Sequence, residues 1–88
     1  MEIVRVENQD SFKFEKVELR KPTVRDSIYA QRVSGGDQGL KFVAALIASC
    51  AKFDGKPAVM EQVEKMELPD FLELGKALGF GDLPQPKA

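Results

Sequence analysis

The stretch from residue 37 to residue 53 constrains the fold most, because it carries the strongest helical periodicity in the chain. At about 100° per residue, its large apolar side chains fall on one half of a helix, and small side chains with lysines fall on the other. We therefore expect a central helix whose large half faces the core. The large half comprises Leu40, Phe42, Val43, Leu46, Ile47, Cys50 and Phe53, and the alanine half comprises Lys41, Ala44, Ala45, Ala48, Ser49, Ala51 and Lys52.

The alanine half of this helix has two interpretations. Small side chains flanked by lysines favour plain exposed surface. The same small side chains would let another helix approach closely, which is the second interpretation. For contacts with a protein partner we consider the edge of the N-terminal hairpin described below, the alanine half of this helix and the methionines Met60 and Met66. The candidate protein-binding residues are Arg20, Arg25, Lys41, Ala44, Ala45, Ala48, Lys52 and Met60.

Two apolar segments before this helix predict β-structure. Residues 2–7 carry three β-branched side chains and indicate a short strand. Residues 12–20 alternate apolar and charged side chains, with a change of phase near residue 15 that a β-bulge would absorb. We expect these two segments to pair as an antiparallel hairpin. The apolar residues are Ile3, Val4 and Val6 in the first segment and Phe12, Phe14, Val17 and Leu19 in the second.

Three further helices follow from local patterns. Thr23 with Asp26 three residues later resembles a capping box, and the helix that begins there ends before the glycine pair at 35–36. Apolar residues at helical spacing predict about two turns over residues 59–66. A last helix begins at Asp70. The predicted fold class is α+β, an N-terminal β-hairpin followed by three to four helices.

The chain length bounds the domain organisation. With 88 residues there is room for one small domain. We expect residues 1–82 to form that single α+β domain. The proline-containing stretch 83–88 is predicted to be a flexible C-terminal tail.

The charge balance excludes some classes of partner. The chain holds 13 Lys plus Arg and 14 Asp plus Glu, a formal net charge of −1. Nucleic-acid-binding proteins concentrate positive charge, so we expect no nucleic acid among the partners.

The longest uninterrupted apolar stretch, residues 42–48, is far shorter than the roughly 20 residues of a membrane-spanning helix. No signal-peptide pattern follows Met1, so we expect a cytoplasmic protein that contacts no membrane.

The residue types argue against catalysis. The chain has no histidine, which removes the commonest general base and metal ligand. Cys50 lies on the large half of the central helix, so we expect a buried, unreactive thiol. The spacing of Glu61 and Glu64 is typical of the solvent-exposed face of an amphipathic helix and not of a metal site. We expect no enzymatic activity, no cofactor and no metal. An enzyme using carboxylates, lysines and Tyr29 is the least favoured alternative.

The order of the segments resembles a known family. Residues 17–26 (VELRKPTVRD) combine a strand that ends in Leu-Arg, a Pro-Thr step and a helix with a small acidic first turn. An alanine-rich apolar helix over residues 40–53, a glycine-containing turn at 54–57 and a segment leading to Asp70-Phe71 come next. Over residues 12–78 this order is similar to that of the Mu-like tail assembly chaperones of tailed phages and prophages.

The resemblance implies a small α+β protein that is made in the cytoplasm of the host bacterium during infection or prophage induction. Such a protein would bind the tape measure protein and keep it soluble until the tail tube polymerises around it. It would be absent from the finished particle. The resemblance leaves open whether the chain also forms a homo-oligomer. The alternative is a small structural subunit of a tail or of another protein assembly.

Overall fold

Short strands and helices alternate along the chain in the computed structural model, which describes residues 1–36 and 39–79. The predicted α+β class and the four helices are confirmed for this part of the chain. The tail predicted over residues 83–88 lies outside the described residues. In chain order the elements are β1 (Val17–Leu19), α1 (Val24–Val33), α2 (Leu40–Cys50), β2 (Ala51–Phe53), β3 (Lys56–Pro57), α3 (Met60–Glu64) and α4 (Leu68–Ala77).

The strands form one antiparallel sheet in which β2 is the central strand and β1 and β3 lie on either side. In the pairing of β1 with β2, Val17 lies opposite Phe53 and Leu19 lies opposite Ala51. The predicted partner of β1 was residues 2–7, and that prediction is wrong. Residues 2–7 form no strand, and β1 pairs instead with β2, because β2 follows α2 directly and its buried residues Ala51 and Phe53 join the same core as Val17 and Leu19.

Phenylalanine rings anchor the segment that leads into β1. The ring centroid of Phe53 lies 4.9 Å from that of Phe12 and 4.7 Å from that of Phe14. The backbone N–H of Phe12 donates to the carbonyl of Lys65 over 2.8 Å, which ties the same segment to the end of α3. The four apolar residues predicted to share a face, Phe12, Phe14, Val17 and Leu19, all pack against the core.

The turn between β2 and β3 holds the start of β1 in place. Asp54 and Gly55 both have positive φ, 52° and 83°, as a two-residue type I′ hairpin turn requires. The Asp54 carboxylate accepts hydrogen bonds from the backbone N–H groups of Glu15, at 3.2 Å, and Lys16, at 2.9 Å. The predicted change of phase near residue 15 is therefore a bend whose backbone donors are satisfied by this side chain.

Helix α2 is buried on two sides, which corrects the interpretation of its alanine half as exposed surface. Ala45 has no exposed surface and belongs to a small cluster with Ala30 of α1. Ala44 is also buried, in the larger cluster that includes Val43 and Ile47 together with residues of the sheet, α3 and α4. The small side chain of Ala45 thus lets α1 approach closely, as the second interpretation stated.

None of the helices in residues 1–36 and 39–79 has the length and apolar character needed to cross a membrane. The longest of them, α2, has only 11 residues, whereas a span needs about 20.

The Asp26 carboxylate, which is buried, connects α1, α2 and the end of β1. Arg20, just after β1, binds it with both terminal nitrogens, at 2.6 Å and 2.8 Å. Thr23 donates to it from its backbone N–H, at 2.7 Å, and from its hydroxyl, at 3.0 Å, and so completes the predicted capping box of α1. The Ser49 hydroxyl of α2 donates to it over 2.7 Å.

These donors all favour the charged form of the carboxylate. The guanidinium of Arg20, followed by the Thr23 backbone and the Ser49 hydroxyl, holds the pKa of Asp26 well below its usual range. Arg20 also donates to the backbone carbonyl of Ser49 over 3.0 Å, so this arginine bridges the carboxylate and α2.

We expect Asp26→Asn to lower the free energy of unfolding by about 1–3 kcal/mol, because charge-assisted hydrogen bonds are lost and donors are left without an acceptor. Urea denaturation followed by circular dichroism measures this. The control is Asp70→Asn, since Asp70 is likewise an acidic residue in the first turn of a helix. An equal effect of the two substitutions would contradict the role given to Asp26.

The same carboxylate predicts how stability depends on pH. Its pKa is lower in the folded chain than in the unfolded chain, so the stabilisation is complete above the unfolded value and is lost as the pH falls through the folded value. We expect the free energy of unfolding to decline below about pH 5. Denaturation curves between about pH 7 and pH 2 should show a smaller decline for Asp26→Asn. If the free energy of unfolding fell equally with pH in the wild-type chain and in Asp26→Asn, titration of other groups would account for the decline.

Candidate functional site

An apolar groove lies where α2, α3 and α4 meet. It is open to solvent on one side and has a volume of about 310 Å³. The start of α2 forms one wall, α3 forms another, and the start of α4 closes the end. The lining residues are Leu40, Lys41, Ala44, Met60, Val63, Glu64, Met66, Leu68 and Phe71.

The groove combines a buried floor with exposed apolar walls. Ala44, Val63 and Phe71 of the floor are each less than a tenth exposed. Leu40 and Leu68 stand on the walls, with 41% and 53% of their surface exposed. Exposed leucines beside a preformed apolar depression are typical of a surface that binds apolar side chains of a partner.

Opposite charges stand at the groove. Lys41 on α2 and Glu64 on α3 are both exposed and both line it. On the outer side of α3, the Lys65 ammonium lies 3.2 Å from the Glu61 carboxylate, one helical turn away. Glu61 and Glu64 therefore lie on the solvent side of α3, as the sequence predicted, and Glu64 is placed to contact a partner seated in the groove.

The groove brings together some of the predicted protein-binding residues. Lys41, Ala44 and Met60 all line it, although they come from two different helices. Leu40, Leu68 and Phe71 are lining residues that the sequence did not single out for binding. Leu40 and Leu68 are the first residues of their helices, where a side chain projects past the packed part of the helix. The sequence patterns predicted other starting residues for these helices, so they did not supply this signal.

Another group of predicted residues surrounds a second depression of about 330 Å³, between the end of α2 and the outer part of the sheet. Arg20, Ala48 and Lys52 all line it. Arg20 is committed to Asp26 through two hydrogen bonds, although its side chain remains 53% exposed. A site with one of its cations already paired is a weaker candidate for a charged partner.

The remaining two predicted residues lie in neither depression. Arg25 is exposed on α1. Ala45 is completely buried beneath α1, so its side chain does not reach a partner while α1 stays packed. As protein-binding residues all eight remain predictions, and the structure places only Lys41, Ala44 and Met60 around the apolar groove.

Cys50 is buried, as the sequence predicted. Desolvation, followed by the nearby Asp26 carboxylate, raises the pKa of its thiol. A thiol with a raised pKa holds little thiolate near neutral pH and is a poor nucleophile. Within residues 1–36 and 39–79, no group of three or more cysteine and acidic side chains is arranged to hold a metal ion.

Comparison with known proteins identifies a family. Residues 7–81 match the sequence model of the family described as "Phage tail assembly chaperone proteins, E, or 41 or 14". No curated protein and no solved structure matches the chain. The family match spans most of the sequence, and the chain belongs to the phage tail assembly chaperone family.

Proposed function

We propose that this member of the phage tail assembly chaperone family binds the tape measure protein, through the groove between α2, α3 and α4, and keeps it soluble during tail assembly. The family membership supports the general role in tail assembly. The observation that carries the proposed surface is the pair of exposed leucines, Leu40 and Leu68, beside a buried apolar floor.

The groove has room for a few apolar side chains, which a helical segment lying across it would supply. An amphipathic helix presents apolar side chains at intervals of three and four residues, and such a row fits between two helices that frame a groove. Here Lys41 and Leu40 lie on one wall and Met60 on another. Methionine adapts its side chain to irregular partners, which suits a chaperone that contacts several segments of a long rod.

The charges at the groove favour a partner segment that also carries both signs. Lys41 would attract an acidic side chain of the bound helix, and Glu64 would attract a basic one. Exposed pairs of this kind add little affinity and mainly set orientation. The apolar contacts with Leu40 and Leu68 would therefore supply most of the binding free energy.

The proposed activity requires no chemical step. The chain has no histidine, and the one thiol is buried with a raised pKa. The proposed place of action is the cytoplasm of the host bacterium, where the tape measure protein is synthesised and needs protection from aggregation before it is enclosed.

We expect co-expression with the tape measure protein to raise its soluble yield, and Leu68→Glu to abolish most of that gain. A glutamate at the start of α4 suits the helix dipole, so the fold should be retained. It would place a charge in the apolar contact and weaken binding at least about tenfold. Soluble yield and co-purification measure the effect.

The matched control is Ile28→Glu on α1. Ile28 has 54% of its surface exposed, against 53% for Leu68, and it does not line the groove. Ile28→Glu should give the same gain in soluble yield of the tape measure protein as the wild-type chain does. If Ile28→Glu abolished the gain and Leu68→Glu did not, the binding surface would be the exposed face of α1. No gain with the wild-type chain would contradict the proposed function itself.

The alternative is a small structural subunit that stays in the tail. Mass spectrometry of purified particles separates the two functions. A chaperone should be absent from the finished particle, and a structural subunit should be present in a fixed ratio to the other tail proteins. A stoichiometric presence would overturn the chaperone function while leaving the groove as a protein-binding surface.

A further inference from the structure

Residues 2–7, here called the arm, expose apolar side chains that belong to neither core cluster of the described residues. Ile3, Val4 and Val6 are 69%, 73% and 82% exposed. The chain is fixed just beyond the arm, since the Asn8 side-chain amide donates to the Glu67 carboxylate over 3.3 Å and Phe12 forms a bridge with Met66. An apolar, β-branched segment that is exposed and anchored at one end has the composition of a strand without a partner.

The outer edge of β1 offers the partner. The Lys16 carbonyl accepts from Asp54, at 2.8 Å, and the Arg20 N–H donates to Cys50, at 3.1 Å, so both point toward β2 and the turn after it. Backbone groups alternate along a strand. The N–H and C=O groups of Val17 and Leu19 therefore point to the opposite edge, which no strand of the described residues covers.

We propose that the arm of one copy adds as an antiparallel strand to the outer edge of β1 in a second copy of this chain. One register places each of the three charged residues of the arm opposite a residue of opposite charge. In it, Glu2 lies opposite Lys21, Val4 opposite Leu19, Arg5 opposite Glu18, Val6 opposite Val17 and Glu7 opposite Lys16.

This register also agrees with the two faces of β1. Val17 and Leu19 are half-buried against the core, and Val4 and Val6 would extend that apolar face. On the solvent face, Glu18 is exposed and lies 3.6 Å from the Lys16 ammonium. Arg5 opposite Glu18 and Glu7 opposite Lys16 would form non-hydrogen-bonded pairs, in which side chains are closest and opposite charges stabilise most.

A parallel arrangement is less favourable. With Arg5 again opposite Glu18, a parallel register places Glu2 opposite Glu15, and like charges directly opposite one another are destabilising. The antiparallel register contains no like-charged pair. Parallel pairing is also slightly less stable per residue.

We assign the outer edge of β1 to the arm of a second copy. Within one chain the arm does not reach this edge, since residues 8–12 are held beside the α3–α4 junction and the edge stays uncovered. An added strand supplies main-chain hydrogen bonds and apolar contacts at once. Exchange of arms between two copies is reciprocal and closes after two, so the expected assembly is a two-fold symmetric dimer.

Sedimentation of the full chain between about 1 μM and 1 mM should show a monomer–dimer equilibrium. Val4→Pro should raise the dissociation constant at least about tenfold, because proline removes an N–H that would bond the edge of β1. The matched control is Ile3→Pro, because the N–H of Ile3 would point away from that edge. The Ile3→Pro variant should dimerise nearly as well as the wild-type chain. A monomer at every concentration, or equal effects of the two prolines, would overturn the proposal.

Charge exchange tests the register. Arg5→Glu and Glu18→Arg should each raise the dissociation constant about three- to tenfold, and the double exchange should restore it. Failure of the double exchange to restore dimerisation would refute this register. Circular dichroism of each variant confirms that the fold is retained.

Disulfide trapping tests direction and copy number. In a Cys50→Ala background, Glu7→Cys in one chain mixed with Lys16→Cys in another should form a crosslinked dimer under mild oxidation. A parallel arrangement would place residue 7 beside residue 20 instead, and Arg20→Cys would then be trapped. A doubly substituted chain that forms only an internal disulfide would show that the arm folds back on its own edge, which would overturn the intermolecular pairing.

Discussion

The burial of α2 from two sides is the constraint on which the rest of the structure depends. The helix has only 11 residues, yet it contributes to both core clusters. Ala45 and Leu46 pack with Ala30 of α1, whereas Val43 and Ile47 face the sheet and the C-terminal helices. A chain this short cannot build two independent cores, so one shared helix replaces them. The groove exists because α3 and α4 pack on the part of α2 that α1 leaves uncovered.

Local signals predicted much of the fold. The capping pair Thr23 and Asp26 located the start of α1. The periodicity of residues 37–53 located α2, but the helix ends at Cys50, and Ala51–Phe53, which the pattern included in the helix, form β2. What failed was the pairing of strands. The apolar residues of 2–7 and 12–20 made a hairpin of these neighbouring segments the natural expectation, whereas β1 pairs with β2, whose residues lie more than thirty positions further along the chain. Pattern alone does not reveal a partner at that distance.

The candidate site was predictable only in part. Lys41, Ala44 and Met60 were chosen for their residue types, and the structure gathers them around one groove. Leu40 was assigned to the core because its angular position on the helix matches that of buried neighbours. It is exposed because it begins the helix, where no earlier turn packs beside it. Burial at the end of an element depends on which other elements reach it, and this information is tertiary.

The Asp54 turn has a consequence for how the chain folds. The hairpin of β2 and β3 joins neighbouring residues and closes quickly, whereas β1 must be captured from a distant part of the chain. The Asp54 carboxylate helps to hold β1 there, because it binds the backbone of Lys16, 38 positions earlier in the sequence. Loop-closure entropy opposes such a distant contact more than it opposes the local hairpin. We therefore expect α2 and its hairpin to form first and β1 to dock in a late stage. The edge of β1 is thus completed last, and a nascent chain emerging from the ribosome can present it only after residue 54 has been synthesised.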